Sequence, residues 1–521
     1  MKNMKTKILI LFLTYSLAGC DGFLDEQSQT EIRPSTVLDM EKLLEGEAYW
    51  TEKDAVFSDA TDIFTDDNMC NVVRSKNTQI QNLKEHDKYK YIWSNTMFND
   101  NGDGSSDIEL WQIPYKYIKG ANVILDYIDD MITDGKKGEI RREHLKGEAF
   151  VLRGLYHFYL VNFFGLPYNY GDPTQNLGVP LKTNSGVTTD EHPKRVSIAE
   201  CYKQIEQDLL EGTRLMYENR EEASTKIKRI DYMVGNALLS RMYLYMENWD
   251  KAIEYADSVL VVQPDLLMFA ENPNKNIYSQ YGNCEILWAM PSSFAADIPL
   301  VSSRRTLYPY TASNDLINTF NEDLATGEID LRVMTQDEDN PSYPGYDGRD
   351  VTFLQTGGET LYDDNNTNIG IVEYYVVYKG YKWTGMRTAE LYLNRAEAHI
   401  QKYIKDGNMS YAQAALDDLN NLRRHRMDPN GFTEKVLSDY TNGQALLEFC
   451  WRERRRELCG EGNHRWLDLR RQGMPQITHI YLDNDTGFKS EYVLQKEDSR
   501  YVLPIPQNVL DRNPDLEQNK Y

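Results

Sequence analysis

The chain has 521 residues, enough for a large core, and 41% of them are apolar. Its 81 acids against 57 lysines and arginines leave a formal net charge of -24, which excludes a nucleic-acid binder, because holding phosphates needs a basic surface. Aromatic content reaches 12%, with 36 Tyr and 8 Trp, an excess over what a core needs that points to a binding surface.

Lys2, Lys5 and Lys7 precede the apolar run Ile8-Leu-Ile-Leu-Phe-Leu13. A spanning helix takes about 20 apolar residues, and this run is far shorter. A basic start, a short apolar core and a small-residue exit describe a secretory signal peptide. The exit, Leu17-Ala18-Gly19-Cys20, resembles the lipobox of bacterial lipoproteins. That resemblance implies removal of residues 1–19 and acylation of Cys20, so that the mature chain, 20–521, is held by lipid alone. Asp21 to Thr30 is polar and would serve as a leash. No later segment is long and apolar enough to span a membrane.

Helical patterning follows in blocks near 36–50, 109–162, 197–262 and 387–470. Leu145, Ala149, Leu152, Tyr156, Tyr159 and Phe163 step by three and four until Gly165-Leu-Pro167 stops the helix. Ser197-Ile-Ala-Glu200 is a capping box for the next helix. Val234, Leu238, Met242 and Tyr245 then form a stripe ending at Asn248, which is expected to take the left-handed turn. Trp249 restarts a helix that closes before Pro264. This unit reads as a tetratricopeptide-type hairpin, with Ala237 and Ala252 where two helices meet closely. A second hairpin puts Ala389, Leu393, Ala396 and Ile400 on one face and Ala412, Ala415, Leu419 and Leu422 on the other.

Between these blocks, residues 51–108 and 265–384 are rich in Asn, Asp, Gly, Pro and aromatics, with weak periodicity. Gly370 to Tyr378 and Glu285 to Ala289 are predicted strands. Long excursions of this kind are functional or disordered, and their aromatic content argues against disorder. Nothing reads as a linker, so 20–521 is expected to form a single domain. Trp111, Trp288 and Trp466 fall within helix or strand patterns and are assigned to the core. The five cysteines beyond Cys20 are an odd, scattered set that makes no disulfide framework. Cys450 and Cys459, placed on one helix, stand roughly 13.5 Å apart at helical rise, too far to bridge. Buried thiols are expected.

"LLEFCWRERRRELCGEGNHRWLDLRRQG" is a helix with an apolar seam of Leu447, Cys450, Trp451 and Leu458. Its charges pair at helical spacing as Glu448 with Arg452 and Glu461 with Arg465. Interleaved glutamates mark a structural ion-pair lattice rather than an anion site. The stretch resembles the signature of the SusD/RagB family of bacterial nutrient-binding lipoproteins: Glu453 to Leu458, then Glu461-Gly462, then Arg465-Trp-Leu-Asp468-Leu-Arg-Arg471. The ending "LPIPQNVLDRNPDLEQNKY" is similar to the family's closing motif, with Lys520 where a glycine is usual. "KGEAFVLRGLYHFYLVNFFGLPY", "WQIPYKYIKGANVIL" and "RTAELYLNRAEAH" extend the resemblance over the whole chain.

The resemblance implies a mainly α fold: a right-handed superhelix of four tetratricopeptide-like helix pairs with large irregular, loop-rich insertions. It also implies a place on the outer face of the outer membrane, as a lid on a SusC-like TonB-dependent barrel. Family members capture glycan oligomers, or in some cases peptides, and pass them on. No cofactor is implied.

Catalytic signatures are missing. The eight histidines include no pair at metal-ligand spacing, and there is no HExxH, no phosphate-cradling glycine loop and no GxSxG. Carboxylate pairs among 81 acids arise by chance, so no glycosidase dyad is inferred. Asn99 to Glu109 resembles a calcium loop, but its first ligand is Asn and its closing glutamate falls one residue early; it reads as an Asn/Gly turn. Binding a sugar without turnover needs exposed aromatic planes for the C–H faces and planar polar side chains for the hydroxyls, held on loops over a rigid frame. Two segments meet this description. One offers Asp66, Asn68, Arg74 and Trp93; the other offers Phe294, Arg304, Tyr308 and Tyr310. The sequence is therefore read as a glycan-capturing surface lipoprotein without catalysis. The alternative is a peptide-binding or protein-interaction scaffold of the same surface complex. On the first reading, alanine at Trp93 or Tyr308 weakens capture and spares the fold.

Overall fold

The computed structural model describes residues 34–51, 54, 60–70, 78–98, 109–186, 192–220, 229–273, 277, 283–291, 310–333, 354–362, 368–378, 383–483 and 486–520. In chain order the elements are α1 (Val37–Glu47), β1 (Asn68–Cys70), α2 (Thr78–Tyr91), α3 (Glu109–Tyr127), α4 (Gly135–Phe164), α5 (Ile198–Glu218), α6 (Tyr232–Tyr245), α7 (Trp249–Leu260), β2 (Ile286–Pro291), β3 (Tyr310–Ala312), α8 (Asn314–Glu322), β4 (Leu354–Tyr362), β5 (Asn368–Tyr378), β6 (Trp383–Arg387), α9 (Thr388–Asp406), α10 (Met409–Arg426), α11 (Gly443–Glu457), α12 (His464–Arg471), β7 (Ile477–Leu482), β8 (Lys489–Leu494) and α13 (Gln507–Arg512). The fold is mainly α.

Helix ends fall where side chains satisfy the orphan backbone groups. Gly165 closes α4, its N–H reaching Val161 O at 2.9 Å. At the start of α5, Ser197 Oγ accepts the Glu200 N–H at 3.2 Å while the Glu200 carboxylate accepts the Ser197 N–H at 2.9 Å. Asp231 caps α6 by accepting the N–H groups of Met233 and Val234. Between α6 and α7 the left-handed residue is Glu247, with φ 58°. Asn248 was expected there; instead it sits at φ -88° and caps α7 through the Lys251 N–H. Its short oxygen serves the new helix better than it could end the old one.

Neighbouring helices pack in pairs: α4 with α5, α6 with α7, and α9 with α10. Gly147 and Gly212 set the α4–α5 approach. A Cβ on either would stand 2.7 or 2.5 Å from the other's carbonyl oxygen, so any side chain would push the helices apart. Ala237 and Ala252 are both fully buried where α6 meets α7, as expected, and Ser240 Oγ donates to Ala252 O at 2.9 Å. Trp111, Trp288 and Trp466 are all in the core. Trp288, on β2, packs its ring 5.6 Å from Trp50, so the second excursion feeds the helical core.

The excursions are less irregular than their composition suggests. They contain α2 and α8, and the strands expected near Glu285 and Gly370 are β2 and β5. All the described strands pair two by two and antiparallel: β1–β3, β2–β6, β4–β5 and β7–β8. Cys70, Cys201, Cys450 and Cys459 are buried thiols outside any disulfide, while Cys284 is half-buried. Cys459 lies beyond the end of α11, so the two C-terminal cysteines do not share a helix. No helix among the described residues is long and apolar enough to cross a membrane.

Candidate ligand-binding site

The two excursions meet in one ladder. Antiparallel pairing sets Asn68 against Ala312, Met69 against Thr311 and Cys70 against Tyr310. The chain leaves β1 after Cys70 and enters β3 at Tyr310. The segments that carry Arg74 on one side and Phe294, Arg304 and Tyr308 on the other are therefore joined to the same end of this ladder. Those four residues lie outside the described residues, as do Cys20 and Asn99 to Ile108. A second tie lies beside the ladder. Ser313 caps α8, donates its hydroxyl to Asp66 O at 2.6 Å, and sends its N–H to Asp67 O at 2.8 Å.

Trp93 is a structural pin, which corrects its assignment as an open contact, while Asp66, Asn68 and Tyr310 are half-buried and bonded to the frame. Trp93 is 1% exposed. Its indole N–H donates to Phe64 O at 2.9 Å, and its ring stacks 4.1 Å from His479. Neither face is open for a sugar. Tyr91 stacks on His479 too, again at 4.1 Å. The two imidazole nitrogens face Tyr91 O at 2.6 Å and Thr65 O at 2.9 Å. Burial lowers the basicity of His479, while each carbonyl favours a proton on the nitrogen it faces. Tyr310 is half-buried, donates to Lys84 O at 2.9 Å and leans on Tyr91 at 4.8 Å. Asn68 donates its amide to Asp62 O at 2.8 Å.

Asp66 forms ion pairs rather than standing open. Arg465 Nε and Nη2 take its two oxygens at 2.8 and 2.6 Å. Arg455 Nε reaches Asp67 at 2.5 Å and its Nη1 reaches Asp315, on α8, at 2.8 Å. Two arginines thus hold the turn before β1 and the helix after β3 together. Burial opposes ionisation of Asp66, but the Arg465 and Arg455 guanidiniums outweigh it and hold the carboxyl well below the usual range. For Asp67, burial wins over the same two arginines and the carboxyl is raised.

The inner face of α11 continues this clamp. Arg332 contacts Glu453 at 2.7 Å and Glu457 at 3.1 Å. Arg387 reaches Glu457 and Glu461 at 2.7 Å and Glu285 at 3.2 Å. Arg426 bridges Glu285 and Glu457 at 2.8 Å each. All these groups are buried. The lattice read from the sequence is present, but most of its pairs are tertiary, Glu453 with Arg456 at 2.8 Å being one that keeps helical spacing. Arg452 takes Asp323 rather than Glu448, and Arg465 takes Asp66 rather than Glu461. The helical-spacing rule describes solvated faces. Here the charges face other elements, and nothing local signals those partners. Breaking one member of a buried pair costs about 3–5 kcal/mol, which is what makes this frame rigid at the base of both excursions.

A separate concavity lies on the helical frame. A groove of about 1230 Å³ runs over α5, α6 and α7, lined by Tyr217, Tyr232, Tyr255, Asn236 and Arg214 among others. Tyr217 is 52% exposed and meets Tyr232 edge-on at 5.2 Å. Val261 and Val262 stand exposed at its rim. Sequence reasoning passed over this surface, because Tyr217 and Tyr232 sit at opposite ends of a connection rather than in one aromatic cluster. Among the described residues no group of three or more His, Cys, Asp or Glu side chains is arranged to hold a metal ion.

Two family models match the chain. One, SusD-like and described as starch-binding associating with outer membrane, covers residues 22–244. The other, described as the SusD family, covers residues 373–521. SusD-like protein P25 of Formosa agariphila is 22% identical over 305 residues, covering 56% of this chain and 52% of that protein. The chain thus spans about half the length of that curated relative. A SusD superfamily protein from Bacteroides thetaiotaomicron superimposes with a TM-score of 0.63 at 22% identity, over 93% of this chain and 100% of that one. A SusD-like carbohydrate binding protein from Bacteroides vulgatus gives 0.59 at 21%, over 92% and 97%.

Proposed function

The chain belongs to the SusD/RagB family, and from that premise we propose that it is a lipid-anchored surface protein that captures oligosaccharides without cleaving them. It then delivers them to a SusC-like TonB-dependent transporter of the outer membrane. Cys20 carries the lipid, and the domain spans 20–521. The segments that grip the ligand are those attached to the β1–β3 ladder, with Arg74, Phe294, Arg304 and Tyr308 as contacts and the half-buried Asp66, Asn68 and Tyr310 beside them.

The observation that carries this reading is the ladder itself. It ties two aromatic-rich excursions, more than two hundred residues apart in sequence, to one place above a buried ion lattice. The lattice fixes the points from which both excursions leave the frame, as binding segments are positioned on rigid scaffolds. The test is calorimetry with a panel of soluble glycans, with chromatography of the mixture afterwards. At least one glycan binds and is recovered whole; released sugars would contradict the non-catalytic part.

The α5–α7 groove favours a second reading, a peptide- or protein-holding scaffold, because tyrosines and arginine around an open concavity are what protein partners use. Capture of a barrel partner with no glycan bound by any member of the panel would select it.

A further inference from the structure

The last turn of α12 carries two adjacent arginines with opposite surroundings. Arg471 is paired twice, with Glu397 at 2.5 Å and with Asp468 at 2.8 Å. Arg470 is 2% exposed, and no acid pairs with it among the described residues. Its Nη2 donates to Gly165 O, the carbonyl at the end of α4. Its Nε and Nη1 are shut off from solvent with no acceptor. Its titratable neighbours are the phenols of Tyr202 and Tyr245, which burial keeps neutral. Tyr202 Oη is committed to Asn162 Oδ1 at 3.1 Å. Tyr245 Oη is buried and has no partner.

Three other arginines converge nearby: Arg241, Arg454 and Arg471. Glu390, Asp468 and Glu397 match them one for one. Arg470 adds a fourth cation and, among the described residues, no fourth carboxylate pairs with it. A guanidinium does not shed its proton at ordinary pH, and an isolated buried charge costs several kcal/mol unless something pairs with it. Aromatic rings close the surroundings: Phe158 lies 5.3 Å from Tyr245 and 6.1 Å from Tyr202, and Tyr168 lies 4.8 Å from Tyr202. Donors without acceptors, an excess of one positive charge and an apolar wall define the missing partner by its chemistry.

We propose that Arg470 Nε–H and Nη1–H, with Tyr245 Oη–H, hold a small monovalent anion of the halide class, buried where α4, α5, α6 and α12 meet. A single charge restores neutrality, whereas a dianion would overshoot it. An acceptor with no protons of its own suits three donors, and a compact ion suits a closed, ring-lined site.

Crystals soaked in bromide test the proposal. An anomalous peak within hydrogen-bond reach of Arg470 Nε and Tyr245 Oη is expected. A water at that point, or nothing, overturns it. In dilute solution, the melting temperature in sodium chloride is compared with that in sodium gluconate at equal ionic strength. A ligand that binds only the folded state raises the midpoint with its concentration, so chloride should raise it by a few degrees between about 1 mM and about 300 mM where gluconate does not. Arg470→Met should abolish the difference and Tyr245→Phe should reduce it. Should Arg470→Met fail to fold, Tyr245→Phe and the bromide map decide. Identical melts in the two salts would overturn the site.

Discussion

Replacing Trp93 by alanine is expected to destabilise the protein by about 3–5 kcal/mol, the usual cost of truncating a buried aromatic. The ring fills the space between Phe64 and His479, and its N–H leaves no buried carbonyl unmet. Urea unfolding checks this; a loss below about 1 kcal/mol would mean that the ring is not a pin. The expectation that alanine at Trp93 spares the fold therefore fails for this residue. The sequence shows a tryptophan among polar neighbours, and composition cannot tell a platform from a pin. What decides is whether something stacks on it, and His479 comes from 386 residues further along the chain.

Helices were legible because their stripes, caps and stops are local. The stripe ending at Phe163, the capping box at Ser197 and the glycine stop at Gly165 all appear where the residues put them. The β1–β3 ladder was not legible, since three-residue strands carry almost no periodic signal and their pairing is tertiary. The partners of α11 were hidden for the same reason. Its role predicts an outcome at this level. Arg455→Ala leaves the buried Asp67 carboxylate without its closest counter-charge and should cost about 3–5 kcal/mol. Hydrogen exchange should show protection falling first at Asn68–Cys70 and Tyr310–Ala312, with α5 to α7 little changed. Uniform loss across all helices would argue that Arg455 supports the frame rather than the ladder.

The whole molecule should be acid-labile in two stages. Burial, aided by the Arg153 cation, holds His157 at about 3, and burial likewise holds His464 at about 3. The unfolded chain takes up these protons near 6.5, so stability present above that pH declines as pH falls from about 6.5 toward 3. Burial works against Glu390 and Glu453, but Arg241 and Arg332 outweigh it and hold them at about 2. Their contribution is complete above about 4.5 and is lost as pH falls toward 2. Melting temperature should therefore fall gently below about pH 6.5 and steeply below about 4.5; a flat profile between 6.5 and 4.5 would contradict the buried neutral histidines. Length, charge and motif order made the family legible, and the excess of tyrosine made a binding surface expected. Which aromatics bind was not legible, because that depends on how distant segments cover one another. The account's central claim is that the excursions tied to the β1–β3 ladder do the gripping. Its most direct test is one calorimetric titration of a bound glycan into the native chain, Tyr308→Ala and Tyr217→Ala. The account predicts at least a tenfold weaker isotherm for Tyr308→Ala, equivalent to about 1.4 kcal/mol, and an unchanged one for Tyr217→Ala; the reverse pattern would move the ligand to the helical groove and contradict it.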